Sequence, residues 1–226
     1  MLFFRRRLSM PFRSKKPSTT IWIARHGQTE SNRAGLFCGH SETSLTDLGR
    51  AQARALGERL RGVRIAAVYT SDFSRAMETA ALATWDRQIP STPDPDLREL
   101  WYGEWEMQRE SAIRKTHPEQ FGLMRAEDPA WHPPGGENIA AVRLRTFAAL
   151  RRITERHAHE QVLIVSHGTA INCMMAEVLG MADSHVFRVD VANCGLSRVT
   201  AYGDRMVVSL LNDTSHLAGV TAVARS

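Results

Sequence analysis

The chain has 226 residues, of which 43% are hydrophobic and 23% charged, and this composition favours a single globular domain. No apolar run is long enough to span a membrane. The net charge of +5 does not indicate a nucleic-acid binder, because six of the 29 Lys and Arg residues and none of the 24 acidic residues lie in residues 1–20. Six charges on a tail would bind nucleic acid weakly and without regard to sequence.

Residues 1–19 are predicted to form a basic, disordered tail, because they contain two prolines and show no apolar periodicity. They lack the apolar segment of a secretory signal. Two alternatives to a disordered tail are left: a transit peptide, or a start codon placed too early, with Met10 as the true start. The three cysteines form no C-x-x-C pair, which is typical of free thiols in a reducing compartment and predicts a cytoplasmic protein. Residues 20–226 are expected to form the one domain.

An apolar run at residues 21–24 is the first predicted strand, and Gly27 ends it. Arg25 and His26 are therefore expected at the carboxyl end of a strand, where open α/β sheets place their ligand crevice. A guanidinium can grip phosphate oxygens in pairs, and an imidazole can act as nucleophile or base. On their own, these two residues are more typical of a solvated strand end.

The next elements alternate in type. A helix capped by Ser44 or Thr46 is predicted first, because apolar residues recur at helical spacing after it. A strand is predicted at residues 65–70, and a second helix follows with Ser71 or Asp72 as its cap.

The second half of the chain begins with an extended linker at residues 90–95, where three prolines exclude a helix. Residues 99–131 are the least regular part, with one short helix near residues 110–115. The remaining predicted elements are a helix over residues 137–157, a strand at 161–166, a helix over 169–179, and strands at 186–190, 195–201 and 206–211. This alternation indicates an α/β fold with three layers (α/β/α) and a mostly parallel central sheet.

Two predicted strand ends carry the same dipeptide, His26-Gly27 and His167-Gly168. Gly168 opens a helix, whose first amide groups offer an anion site. Arg75 lies in the first turn of another helix, where it opposes the helix dipole, so its position suits a phosphate ligand better than a purely stabilising role. Two histidines at equivalent strand ends, one of them preceded by arginine, indicate that these histidines have a functional role rather than a purely structural one.

Together these motifs resemble the histidine phosphatase superfamily, in the branch that includes cofactor-dependent phosphoglycerate mutases. The resemblance covers residues 20–217, and two departures from the pattern concern loop geometry and hence substrate choice: Ser44 stands where proline is common, and Met107 where these phosphatases often have glycine. The matching parts occur in order: Arg25-His26-Gly27-x-Thr29-x-x-Asn32, Leu45-Thr46-x-x-Gly49-x-x-Gln52-Ala53, Thr70-Ser71-x-x-x-Arg75-Ala76, Arg98-Glu99, Pro134-Gly135-Gly136-Glu137, Ser166-His167-Gly168 and Asn212-Asp213-Thr214-Ser215-His216-Leu217.

The resemblance implies a phosphoglycerate mutase-like fold and a metal-free phosphoryl transfer without a cofactor, in which His26 becomes a phosphohistidine. Glu99 resembles the proton donor of the family, which protonates the leaving alcohol and then activates water. Glu104 and Glu106 are interpreted as rim or solvated residues. The other residues that the resemblance assigns to the site are His167, which is catalytic, and the phosphate-binding set Arg25, Asn32, Arg75, Gly168 and Thr29, of which Thr29 is expected mainly to fix the loop.

The interval between Glu99 and His167 is short, as in the broad-specificity and α-ribazole phosphatases that this chain resembles. Its segment at residues 101–106 is aromatic and acidic, which makes it a poor host for a substrate carboxylate. The sequence therefore predicts a hydrolase of small phosphorylated metabolites, monomeric or homodimeric. A 2,3-bisphosphoglycerate-dependent phosphoglycerate mutase is the first alternative, and an inactive phosphate-binding module on the same fold is the second.

Overall fold

A computed structural model describes residues 18–223 and has a six-stranded sheet at its centre. The predicted tail lies outside the described residues except for Ser18 and Thr19, which belong to the first strand. Along the sheet the strand order is β3-β2-β4-β1-β5-β6. The strands are β1 (Ser18–Arg25), β2 (Ile65–Thr70), β3 (Ser91–Pro93), β4 (Gln161–Ser166), β5 (Leu196–Tyr202) and β6 (Arg205–Asp213).

The sheet is mixed. Strands β3, β2, β4 and β1 run parallel to one another, whereas β5 pairs antiparallel with β1 and β6 pairs antiparallel with β5. In the central pair, Arg25 of β1 lies opposite Ser166 of β4. The residues that follow these two strands therefore leave the sheet side by side at one carboxyl edge, and they are His26 and His167.

Helices cover both faces of the sheet, and this confirms the predicted three-layer architecture. They are α1 (Glu30–Ala34), α2 (Asp47–Leu60), α3 (Ser74–Ala83), α4 (Glu110–Thr116), α5 (Pro118–Arg125), α6 (Ile139–Arg156), α7 (Gly168–Leu179) and α8 (Ala218–Val223). None of the helices within residues 18–223 has the length and apolar character needed to cross a membrane.

Alternate residues of the central strands build two cores, as the two-residue period of a strand requires. On one face Ile21 and Ile23 pack with α6 and α7, and on the other Trp22 and Ala24 pack with α2 and α3. A third cluster lies beside the sheet, where the irregular region around Trp105 and α4 and α5 packs on α6 and α7. This third cluster forms one wall beside the carboxyl edge of the sheet.

The structure corrects three expectations. Residues 186–190 are not a strand, because Asp183–Arg188 form a 3₁₀ helix in which Val186 packs in the third cluster. The strand that pairs antiparallel with β1 is β5. The helix α3 starts at Ser74 without a side-chain cap, because its N-cap residue is the apolar Phe73 rather than Ser71 or Asp72, and Asp72 is bound by the guanidinium of Arg98. The proline-rich linker is extended as predicted and pairs as the short edge strand β3, where a proline is tolerated, but its last residue begins a 3₁₀ helix (Pro95–Leu97) that the prolines were expected to exclude. Helix α5 was not predicted.

Candidate active site

His26 and His167 meet at the carboxyl edge of the two central strands. The amide of His26 donates a hydrogen bond to the carbonyl of Ser166 at 3.0 Å, which ties the two strand ends together. The imidazole rings stand edge to face, with centroids 5.1 Å apart. Both rings are almost fully buried, with 5% of His26 and none of His167 exposed.

Their hydrogen bonds fix opposite tautomers. Nδ1 of His26 lies 2.8 Å from the carbonyl oxygen of Gly27, which can only accept, so the proton of the neutral ring sits on Nδ1 and Nε2 carries a free lone pair. Nδ1 of His167 accepts a hydrogen bond from Nε of Arg75 at 3.2 Å, so its proton sits on Nε2. That Nε2 is buried and has no partner within residues 18–223. The site thus pairs one nucleophilic nitrogen with one unused donor.

Both imidazoles are held neutral. Burial lowers the pKa of His26 well below its ordinary value, and the charges of Arg25 and Arg75 lower it further. Burial also lowers the pKa of His167, with Arg75 and His26 as the next causes. A lone pair for attack is therefore present at neutral pH without a general base.

Two arginines converge on this histidine pair, and neither forms an ion pair with a carboxylate of residues 18–223. Arg75, only 1% exposed, donates to the carbonyls of Gly39 at 2.5 Å and Ser41 at 3.0 Å as well as to His167. Arg25 donates to the carbonyl of Val191 at 2.7 Å, and its buried Nε has no partner within the described chain. Because every protein partner of these guanidinium groups is neutral, the crevice is built to receive an anion.

Glu99 lies against the start of α7. Its carboxylate accepts hydrogen bonds from the amides of Thr169 (3.1 Å), Ala170 (3.2 Å) and Leu100 (2.8 Å), which fix its orientation. A Cβ built on Gly168 would lie 3.5 Å from Cζ of Arg25 and 3.7 Å from a carboxylate oxygen of Glu99. The carboxylate and this arginine therefore face the same point, next to the histidine pair.

Asn32 and Thr29 occupy the loop after β1. Thr29 is fully buried and caps α1, because its hydroxyl accepts the amide of Asn32 at 3.2 Å. The side-chain oxygen of Asn32 accepts the amide of Thr29, and also the side-chain amide of Asn193, which bonds to the carbonyl of His26 as well. The described contacts of Thr29 thus hold the loop together, and Asn32 connects that loop to His26 through Asn193. Asn193 carried no local sequence signal, since it meets His26 only through the fold.

Glu106 was interpreted as a rim or solvated residue, and this is wrong. Its half-buried carboxylate accepts hydrogen bonds from the amides of Gly39, His40, Ser41 and Tyr102, at 2.9–3.2 Å. The segment 39–41, which we call the arginine loop, is the one whose carbonyls bind Arg75. A single carboxylate therefore organises the loop that positions a guanidinium of the site. The neighbouring Glu104 is exposed, as expected.

The sequence profile of the histidine phosphatase superfamily (branch 1) matches residues 21–214. This chain belongs to that superfamily. It is 33% identical over 172 residues to the adenosylcobalamin/alpha-ribazole phosphatase of Escherichia coli (strain K12), covering 75% of this chain and 85% of that protein. It is 32% identical to "Probable phosphoglycerate mutase GpmB" of Proteus mirabilis (88% and 95% covered). The solved structure of Bacillus stearothermophilus YhfR superposes with a TM-score of 0.85 at 33% identity (88% and 99% covered).

The comparisons confirm that the chain is an enzyme of the histidine phosphatase superfamily with a phosphoglycerate mutase-like fold. One departure from the superfamily pattern has a visible consequence: Met107, where glycine is common, has a φ of 57°, a left-handed conformation that favours glycine. Within residues 18–223, no group of three or more His, Cys, Asp or Glu side chains is arranged to hold a metal ion.

Proposed function

We propose that this histidine phosphatase superfamily member hydrolyses small phosphomonoesters through a phosphohistidine on His26, with Glu99 as proton donor. The observation that carries the proposal is the pair of opposite tautomers: Nε2 of His26 is free to attack, and Nε2 of His167 is free to donate. The phosphatase named among the relatives, at 33% identity, supports the same reaction class.

In the first half-reaction, Nε2 of His26 attacks phosphorus, the N–P bond forms and the P–O bond to the alcohol breaks. Glu99 gives its proton to the leaving oxygen. Arg25, Arg75 and the Nε2 proton of His167 hold the other phosphate oxygens as charge redistributes. The ring of His26 becomes positively charged, and the carbonyl of Gly27 stabilises it through the Nδ1 proton. Asn32 adds a further phosphate contact in this proposal.

In the second half-reaction, water attacks phosphorus and gives a proton to the carboxylate of Glu99. The N–P bond breaks, its electron pair returns to Nε2 of His26, and inorganic phosphate leaves. Glu99 is then protonated and ready for the next ester, so one carboxyl group serves both steps and no external acid or base is consumed.

Trapping the intermediate tests this proposal. With labelled substrate and rapid quenching, the wild type is expected to carry acid-labile, base-stable phosphate on His26, and His26→Ala is expected to carry none and to lose turnover. A His26→Ala enzyme that keeps most of its activity would end the covalent account. A wild type that binds phosphate but never turns over would identify the inactive binding module instead.

A phosphoglycerate mutase remains the second candidate, because the chain is 32% identical to a GpmB protein over 88% of its length. A mutase must keep water away from the phosphohistidine and return the phosphoryl group to its product. We expect release of inorganic phosphate from 3-phosphoglycerate, with no conversion to the 2-isomer when 2,3-bisphosphoglycerate is added. Rapid isomerisation without phosphate release would assign the mutase activity.

A further inference from the structure

A cavity of about 360 Å³ lies between Tyr102 and the end of α5 and takes no part in the phosphoryl transfer proposed for this enzyme. Aromatic side chains form most of its walls: Phe37, Tyr102, Trp131 and Phe187. Arg125 and Glu127 supply its charged lining. Its volume is at the small end of the range for small-molecule sites, which suits one part of a substrate rather than a whole large ligand.

Two wall residues of this aromatic cavity, Tyr102 and Phe37, are connected to the proposed catalytic groups. The hydroxyl of Tyr102 lies 3.3 Å from that of Thr169, whose amide binds the carboxylate of Glu99. Phe37 lies two residues before Gly39, which is the first residue of the arginine loop and accepts a hydrogen bond from Arg75. One wall residue of the cavity, Tyr102, therefore contacts the residue whose amide holds the proposed proton donor, on the side of the site where the alcohol part of an ester would depart.

The walls are suited to a flat ring. Phe37 and Tyr102 stand edge to face with centroids 5.2 Å apart, and Trp131 and Phe187 do so at 5.7 Å. Rings held in this way present both faces and edges to a third aromatic group, which can stack or pack against them. Trp131 is only 2% exposed, so its position is fixed, whereas Phe187 is 38% exposed and borders the opening.

One positive charge at this cavity is unpaired. Glu127 accepts two hydrogen bonds from the guanidinium of Arg188, at 3.0 and 2.9 Å, so its charge is compensated. Arg125, the last residue of α5, is exposed and has no polar partner in the described part of the chain. The cavity thus combines apolar walls with a free cation at its edge, a combination that complements an aromatic group carrying an anionic substituent.

We propose that this cavity is the leaving-group subsite of the enzyme and that it takes an aromatic alcohol bearing a carboxylate or another anion at the end remote from the phosphate. The proposal rests on the phosphatase function proposed above, since it assigns the alcohol half of the same ester. Phe187 and Arg125 are the specificity-determining residues for the ring and for the anion, respectively.

Three esters with similar leaving oxygens test the subsite: phenyl phosphate, 2-naphthyl phosphate and 6-carboxy-2-naphthyl phosphate. We expect kcat/KM to rise about tenfold with the second ring, because it adds apolar contact. The carboxylate is expected to add about three- to fivefold at low salt, as for an exposed ion pair, and to lose that advantage at high salt.

Matched variants separate the two contributions. Phe187→Ala should abolish the gain from the second ring, and Arg125→Ala should abolish only the gain from the carboxylate. Trp85→Ala and Arg114→Ala remove an exposed aromatic and an exposed arginine that do not line the cavity, and both should behave as the wild type. Equal kcat/KM for the three esters, or equal losses in the control variants, would overturn the proposal.

Binding of the product alcohol keeps the subsite testable apart from catalysis. Titration calorimetry is expected to show 6-hydroxy-2-naphthoate binding more tightly than 2-naphthol, with the difference lost in Arg125→Ala. If this binding holds while no ester is hydrolysed, the phosphatase proposal fails and the subsite stands. If the esters are hydrolysed but neither alcohol binds detectably, the subsite fails and the phosphatase proposal stands.

Discussion

At the scale of single residues, the two histidines show how a hydrogen-bond partner determines which ring nitrogen carries the proton. His26 and His167 each end a parallel strand and each precede a glycine. They differ because a carbonyl faces Nδ1 of His26, whereas a guanidinium faces Nδ1 of His167. The same imidazole is therefore a lone-pair donor in one place and a proton donor in the other.

The pH dependence of stability follows from the lowered pKa values of both histidines. Below about pH 6.5 the unfolded chain protonates them while the folded protein does not, so the free energy of unfolding falls as pH decreases, by about 1.4 kcal/mol per pH unit for each ring. We expect urea denaturation to show this decline and His26→Asn to reduce its slope by that amount. The exposed His132→Asn is the matched control, and an unchanged slope in His26→Asn would contradict the expectation.

The two roles of Glu99 can be separated with esters of different leaving groups. Glu99→Gln should slow an alkyl phosphate by about 10²–10⁴-fold, because its alkoxide needs a proton, and should slow the phosphorylation step of p-nitrophenyl phosphate much less. Phosphohistidine should then accumulate and give a burst of nitrophenol in stopped-flow measurements.

The matched control for this prediction is Glu104→Gln, since Glu104 is exposed and its carboxylate lies against His117, away from the histidine pair. This substitution should leave the rates of hydrolysis of both esters nearly unchanged. Equal losses for both esters in Glu99→Gln, absence of the burst, or a larger effect at Glu104 would show that another group is the acid.

At the scale of elements, the arginine loop connects the carboxylate of Glu106 with the guanidinium of Arg75. Gly39 has no space for a side chain, because a Cβ there would lie 2.0 Å from the carbonyl oxygen of Leu100. Glu106 holds the amides of the loop from one side, and Arg75 binds its carbonyls from the other. The loop therefore has little freedom, and Arg75 enters the site already oriented, which lowers the reorganisation needed in the transition state.

Glu106→Gln should loosen the arginine loop, because a side-chain amide N–H group would face backbone N–H groups. We expect kcat/KM to fall about 10–100-fold and inhibition by vanadate to weaken by a similar factor, since both depend on Arg75. Glu104→Gln is again the control. The positioning role predicts that Arg75→Lys and Glu106→Gln together cost less than the sum of the two single losses in vanadate affinity. Additive losses would show that Glu106 acts independently of Arg75.

At the scale of the whole molecule, the proposed phosphate site belongs to no single element. The carboxyl ends of β1 and β4, the first turns of α3 and α7, and the irregular region around Glu99 each supply one part of it. Such a site persists only while the sheet and its flanking helices stay packed, so substrate analogues should stabilise the fold.

For this assembled site we expect vanadate to inhibit p-nitrophenyl phosphate hydrolysis and to raise the melting temperature, because it presents phosphate-like oxygens to Arg25 and Arg75. A chelator such as EDTA should leave hydrolysis intact, since the proposed nucleophile is an imidazole of the protein. Activity that is lost with EDTA and restored by a divalent ion would contradict the proposed mechanism.

The sequence by itself determined the order of strands and helices around the site, because short-range periodicity depends on neighbouring residues alone. Residues 161–166 were predicted as a strand with the bounds that the structure has, and the glycines after His26 and His167 marked both strand ends. The prediction of a strand at residues 186–190 is wrong, because the conformation of this segment depends on contacts with distant residues. Val186 and Val189 are apolar and buried, as in a strand, but Asp183–Arg188 form a 3₁₀ helix that places Val186 in the third cluster, a contact that local sequence does not report.

The tertiary structure alone decided the tautomers of the two histidines, the burial of Arg75 and the role of Glu106. Arg75 and His167 are 92 residues apart along the chain, and Glu106 and the amide of Gly39 are 67 apart. Hydrogen bonds between such distant residues depend on the complete path of the backbone, whereas sequence patterns report only local conformation. A carboxylate that binds four amides and one that is solvated therefore look alike in the sequence, and only the folded chain distinguishes Glu106 from Glu104.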